Sequence, residues 1–281
     1  MSLKQVIHQL KTNKIFHGFL KRTVLILTLI FLFAFQSDQF VFKQSILIQN
    51  DFISCDNIGN VYVVKGDAIT KLNTSGKVIR TYSNKKLGKI FHVDASNPLR
   101  ILVFYKDFSL IVFLDSQLTQ NGESIQLENM NLEQSDLACS SFNNGAWVFS
   151  RQNAELIRVD ENLISVIRTG NLNRLMNVKL EPLYLLEHNG FVYLSDKSEG
   201  ILRFDIYGNY SKTISLRNIK SFQVFEDRLF AYKQDTIISH HFLSIQRDTF
   251  LLPLKNAQQS LLTNSGMYLA YRDSIVFFEK K

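Results

Sequence analysis

The sequence predicts an all-β fold: a six-bladed β-propeller of four-stranded blades, its ring closed by an N-terminal strand in the last blade. Three observations carry this reading. A strand-and-turn motif recurs every 42 to 45 residues, a second turn-and-strand motif occurs in six copies, and one strand-like run near the N-terminus has no unit of its own.

The first motif reads apolar, variable, basic, apolar, Asn or Asp, two residues, then Gly or Asn. It appears as Ile69-Thr-Lys-Leu-Asn73-Thr-Ser-Gly76, Leu156-Ile-Arg-Val-Asp160-Glu-Asn162 and Ile201-Leu-Arg-Phe-Asp205-Ile-Tyr-Gly208, with a weaker copy in Leu110-Ile-Val-Phe-Leu-Asp115. An Asx side chain can bond the backbone two residues on, and Gly or Asn tolerates positive φ, so each copy is a strand running into a hairpin turn.

The second motif lies upstream of the first. Its copies include Asn57-Ile-Gly-Asn-Val-Tyr-Val63, Asn143-Asn-Gly-Ala-Trp-Val-Phe149, His188-Asn-Gly-Phe-Val-Tyr-Leu194 and Asn264-Ser-Gly-Met-Tyr-Leu-Ala-Tyr271. Glu226-Asp-Arg-Leu-Phe-Ala-Tyr232 and Pro98-Leu-Arg-Ile-Leu-Val-Phe104 complete six. Asn-Gly between apolar alternations is a strong hairpin signal, and four short strands per 40–45 residues is the spacing of a propeller. The sixth unit runs through Met267–Tyr271 and Ser274–Glu279 and lacks an outer strand, which the unassigned run Val41–Gln49 can supply. That pairing removes two exposed sheet edges.

The totals agree. Hydrophobic residues make up 46% of the 281, enough for a core, and 23 Phe with 10 Tyr suit half-buried pleated surfaces. With only Pro98, Pro182 and Pro253, the turns fall to Asn, Asp, Ser and Gly.

Two segments are expected: residues 1–36 as a signal peptide or short signal-anchor, and residues 38–281 as the propeller domain. Lys21-Arg22 precedes a 13-residue apolar run, Thr23 to Phe35, a basic region followed by an apolar stretch short of the roughly 20 residues a spanning helix needs. The reading places the protein outside the cytoplasm, either periplasmic or membrane-associated and facing the periplasm, with membrane contact only through that segment if it is uncleaved. The formal charge of +7 owes five of its positive charges to this segment. The remainder carries 27 basic against 25 acidic side chains, without the concentrated basic footprint of a nucleic-acid binder. Cys55 and Cys139 fall near the inner strands of blades one and three, which are not neighbours, so two small buried thiols are expected in preference to a disulfide.

The hairpin with its apolar-basic-apolar-Asp-x-x-Gly pattern resembles the units of NHL-like and quinoprotein-like propellers over roughly residues 40–281. The chain is also similar to bacterial envelope propellers whose family name implies no activity. Quinoprotein enzymes carry repeated Trp docking motifs; this chain has only Trp147, so no quinone and no other cofactor is expected.

The spacings that catalysis requires are missing: no G-x-S-x-G, H-E-x-x-H, C-x-x-C, Walker loop or EF-hand loop occurs. His240 and His241 are adjacent on a strand and point to opposite faces, so they do not converge on a metal. Asn73-Thr-Ser75 and Asn209-Tyr-Ser211 match the glycosylation pattern within expected turns. Two polar groupings stand out as candidate binding residues. His92, Asp94, Asn97 and Arg100 lie in Phe91-His-Val-Asp-Ala-Ser-Asn-Pro-Leu-Arg100, where a strand ends beside the channel; against this, Asp94 and Ser96 can cap a turn. Trp147 with Arg151 suits a protein-binding hot spot, against packing of Trp147 between blades.

The expected function is that of an exported, non-enzymatic binding or scaffold propeller of the bacterial cell envelope. It would be monomeric and engage an envelope protein or peptide through its loop faces. The alternative is a channel-centred hydrolase of lactonase type, whose family holds a divalent cation by inward Asp, Asn and Glu ligands; Asp56, Asp94 and Glu187 are the carboxylates this chain offers.

Overall fold

The computed structural model describes residues 40–281 apart from Leu163 and Ile245. The segment read as a targeting signal lies outside the described residues.

Six four-stranded antiparallel sheets follow one another along the chain. The N-terminal strand β1 (Phe40–Leu47) precedes blade one, which comprises β2 (Phe52–Cys55), β3 (Val61–Lys65), β4 (Ala68–Leu72) and β5 (Val78–Ser83). Blade two is β6 (His92–Asp94), β7 (Ile101–Tyr105), β8 (Leu110–Leu114) and β9 (Ile125–Gln126). Blade three is β10 (Ser135–Ser140), β11 (Ala146–Ser150), β12 (Glu155–Val159) and β13 (Ser165–Arg168). A one-turn helix, Leu172–Met176, leads to blade four: β14 (Pro182–His188), β15 (Phe191–Asp196), β16 (Gly200–Asp205) and β17 (Tyr210–Ile214). Blade five is β18 (Phe222–Phe225), β19 (Arg228–Lys233), β20 (Thr236–His241) and β21 (Arg247–Leu251). Blade six joins β22 (Gln259–Thr263), β23 (Gly266–Tyr271) and β24 (Ser274–Lys280) to β1, which takes the outermost place beside β24.

The middle strands are uninterrupted apolar runs because they are buried on both faces. Ile101-Leu-Val-Phe-Tyr105 shows how: Ile101, Val103 and Tyr105 pack against Tyr62, Val64 and Ile69 of blade one. Leu102 and Phe104, on the opposite face, pack against Val148 and Ile157 of blade three. Period-two alternation thus feeds two interblade cores from one strand. Each fully buried Val, Leu, Ile or Phe contributes about 1.5–3 kcal/mol.

The recurrent Asx residues do what their spacing predicts. Asn73 Oδ1 accepts from the amides of Ser75 (3.1 Å) and Lys77 (2.9 Å). Asp115, Asp160 and Asp205 each accept from the amides two and four residues on, at 2.8–2.9 Å. In blade five a histidine takes this role: His241 Nδ1 accepts from the amides of Leu243 (3.0 Å) and Ser244 (3.3 Å).

Closure is tied down locally. Lys43 Nζ bonds Glu279 (2.9 Å), Phe42 packs edge-on against Phe278, and Gln44 Nε2 donates to the carbonyl of Ser75 in blade one (3.1 Å). Gly76, at φ +76°, permits that last contact, since a Cβ there would lie 2.4 Å from Gln44 Nε2.

Candidate binding site: the axial channel and the hairpin face

Antiparallel order places the turns between first and second strands, and between third and fourth, on one face, here termed the hairpin face. The innermost strands surround an axial cavity of about 830 Å³, reached from Asn50 and Lys220 at one end to Asn57 and Asn264 at the other. Each innermost strand is a sheet edge whose outward N–H and C=O groups need partners. Side chains of neighbouring blades supply them. Gln259 Oε1 accepts from the amide of Ile53, and its Nε2 donates to the carbonyl of the same residue, both at 2.9 Å. Gln223 does the same for Leu262, at 2.7 and 2.9 Å. In each case one amide imitates a strand across a blade junction.

The carboxylates near the axis are similarly engaged. Asp94 Oδ1 accepts from the amide of Ser96 (3.0 Å), and its Oδ2 from the amide of Ser140 in blade three (2.8 Å). Asp56 accepts from the amides of Ile58 and Asn60, the side-chain amide of Asn60 and the hydroxyl of Tyr62. Glu187 accepts from Ser141 Oγ (2.6 Å), the amide of Phe142 (3.0 Å) and Trp147 Nε1 (2.7 Å). Arg158 completes that cluster by donating to Ser141 Oγ and the carbonyl of Phe142 while stacking on the Phe142 ring. These three carboxylates sit on different blades with their oxygens directed to protein donors. Among the described residues no group of three or more His, Cys, Asp or Glu side chains converges as a metal site would require. The residues present do not fit the cation of a lactonase-type centre.

The sequence candidates therefore separate. His92 lines the channel, where its ring meets Tyr184 of blade four edge-on with centroids 5.4 Å apart. Asp94 is a turn cap and interblade tie. Asn97 Oδ1 accepts from the amide of Leu99 (3.0 Å), closing the hairpin between β6 and β7. Arg100 lays its guanidinium over the Phe113 ring, 3.3 Å from the centroid, and desolvation there lowers its pKa. Trp147 is fully buried in the core between blades three and four, whereas Arg151 is exposed and lies 3.7 Å from Asp136. The Trp147–Arg151 pair does not form one surface. His240 is buried and His241 turns outward to Asp227 (2.7 Å), so the two do not converge. Cys55 and Cys139 are free thiols on β2 and β10. Burial pushes the Cys55 thiol up to about 12, which leaves it protonated and unreactive.

Asn97 and Arg100 do share a feature. With Ser140–Asn144 and Glu187 they line a polar cleft of about 470 Å³ on the hairpin face, between blades two and three. Leu99, 70% exposed, stands in the same turn as Asn97 and Arg100, and Ile58 is 66% exposed on the equivalent turn of blade one. Sequence reasoning missed Tyr184, Gln223, Gln259 and the Glu187–Trp147 bond, all of which act across blade junctions.

Solved structures share this architecture. A streptogramin B lyase aligns over 82% of this chain and 78% of its own at 14% identity, with a TM-score of 0.56. The Pan2 WD40 domain of Neurospora crassa aligns over 87% and 97% at 9% identity, TM-score 0.60. The extracellular domain of BT4673 from B. thetaiotaomicron aligns over 81% of this chain but 32% of its own at 12% identity, TM-score 0.53. The likeness shows the fold. No protein-family model and no curated protein matches the chain.

Proposed function

We propose that this chain is an exported, non-enzymatic binding propeller of the bacterial envelope that engages a protein or peptide partner through its hairpin face. The observation that carries the reading is the polar cleft between the turns of blades two and three. Asn97, Arg100, Asn143 and Asn144 offer donors and acceptors there, beside the exposed Leu99. An apolar anchor next to convergent polar groups suits recognition of a peptide segment. The carboxylates that hydrolysis would need are instead turn caps and interblade ties. WD40 domains of similar fold favour a protein-binding role, and an extracellular domain of similar fold favours a place outside the cytoplasm, each as analogy of fold alone. The basic and apolar pattern of residues 1–36 supports export.

The test is recovery of partners by affinity purification of the tagged protein from envelope fractions after mild crosslinking. Leu99→Asp combined with Arg100→Ala should reduce recovery of a specific partner severalfold, with melting temperature measured on the same protein. Unchanged recovery by the double variant, or absence of the protein from the envelope, would overturn the proposal.

A further inference from the structure

We propose that the axial channel binds an uncharged small molecule carrying a flat apolar ring and a hydrogen-bonding substituent, held at the waist of the channel by His92 and Tyr184. This site is separate from the hairpin-face cleft.

The cavity, about 830 Å³, lies within the ~300–1,000 Å³ range of ligand pockets. Its wall combines aromatic side chains such as Phe52, Phe225 and Phe230 with a small number of polar groups. Most of those groups already have partners: Gln223 and Gln259 seal strand edges, and Asp56 and Asp94 hold turns. His92 and Tyr184 differ. Their ring nitrogens and hydroxyl make no hydrogen bond among the described residues, and both side chains stand half-buried on the channel wall. These polar groups are open to the channel and available to whatever occupies it.

The geometry holds the pair in place. His92 comes from blade two and Tyr184 from blade four, and their rings meet although blade three, which lines the channel with Leu137 and Ala138, lies between those blades. Phe222 of blade five also packs edge-on against Tyr184, with centroids 5.1 Å apart. The waist is therefore a preorganised aromatic belt with two polar ends free.

Charge selects the ligand class. Burial lowers the His92 pKa, opposed by Asp94, so the imidazole is neutral at pH 7 and offers one donor and one acceptor. Burial likewise raises the Tyr184 pKa and keeps the phenol protonated. An anion or cation entering this waist would lose its hydration without meeting a free opposite charge, whereas a neutral ring with an N–H or O–H loses little.

Two dyes with the same skeleton test this on the purified full-length chain. N-phenyl-1-naphthylamine is neutral with one N–H; 1-anilinonaphthalene-8-sulfonate adds a negative charge. The neutral dye should bind once per chain and at least about tenfold more tightly than the sulfonate. The neutral dye's single N–H takes one acceptor, so one of Tyr184→Phe and His92→Phe should weaken it by about three- to tenfold, the worth of one hydrogen bond, and the double variant should add little to that. Melting temperature monitors the fold of each variant, and Leu99→Asp should leave dye binding unchanged. Three results would each overturn the proposal. One is no saturable uptake, leaving the channel to water alone. Another is equal affinity for the two dyes. The third is loss of binding in Leu99→Asp with retention in both channel variants, which would place the dye on the hairpin face.

Discussion

The junction between blade six and blade one offers a direct test of how the ring is held. Gln259 makes two hydrogen bonds of 2.9 Å to one buried residue, Ile53; among the described residues the other side-chain bond between these two innermost strands is the long one from Cys55 Sγ to the carbonyl of Leu262, 3.9 Å. Gln259→Leu keeps most of the apolar stem but removes both bonds, leaving an N–H and a C=O at a sheet edge. Two neutral hydrogen bonds contribute about 1–3 kcal/mol, and incomplete rescue by channel water raises the cost to about 2–4 kcal/mol. For a domain of this size 1 kcal/mol moves the melting temperature by roughly 2–4 °C, so a fall of about 5–15 °C is expected. Gln259→Glu sharpens the test. Near pH 7.5 the carboxylate still accepts from the Ile53 amide but confronts its carbonyl without a donor. Near pH 4 the protonated acid presents one donor and one acceptor, as the amide does. Its deficit relative to the native protein, measured by thermal melting at matched pH, should therefore shrink on acidification. A Gln259→Leu melting temperature within about 1 °C of native, or a Gln259→Glu deficit independent of pH, would refute the strand-mimic account.

Two further outcomes follow from the same structure. Deleting residues 38–49 removes β1 from blade six and exposes the edge of β24, so the chain should lose more than about 3 kcal/mol of stability and aggregate, as read by melting and light scattering. An unchanged melting temperature would exclude closure by β1. Stability should also fall as pH drops below about 6.5: burial lowers the pKa values of His92, His188 and His240, so the unfolded chain takes up protons there that the folded chain does not. Asp51 and Asp248, lowered chiefly by hydrogen bonds from Gly66 and Arg228, add a second loss only as pH falls through the carboxylate range. Urea melts from pH 7.5 to 5 should show the first slope, and His92→Phe should reduce it.

The fold was legible because its signals are local. An Asx cap and the amides it binds lie within four residues, and an apolar run declares burial on both faces without reference to its partners. The same logic explains the irregular places. Blade two has a two-residue outer strand, Ile125–Gln126, because Ser116 to Glu123 supplies almost no strand-forming side chains and instead forms a single bridge between Leu114 and Gln120. Blade five hides its cap because His241, with Nδ1 as acceptor and Nε2 on Asp227, does the work of an aspartate.

The site was only half legible, since its decisive contacts join residues that the sequence separates by a blade or more. Asp94 reads locally as a cap, and it is one; its second oxygen binds Ser140, 46 positions away. Trp147 reads as an exposed anchor or a core residue, and what decides is Glu187, 40 positions on, whose carboxylate receives the indole N–H. The Arg158 guanidinium lies near enough to feel the Glu187 charge and shares Ser141 with it, so the half-buried acid has both a donor set and a neighbouring cation. Tyr184 carries no motif at all. It becomes a candidate ligand contact only when the closed ring brings it to His92, two blades away in the chain. Residue types that close blade junctions, such as Gln223 and Gln259, are chemically the same amides that would line a binding channel. Sequence cannot separate them, because the difference lies in whether a neighbouring strand edge or open cavity faces the side chain.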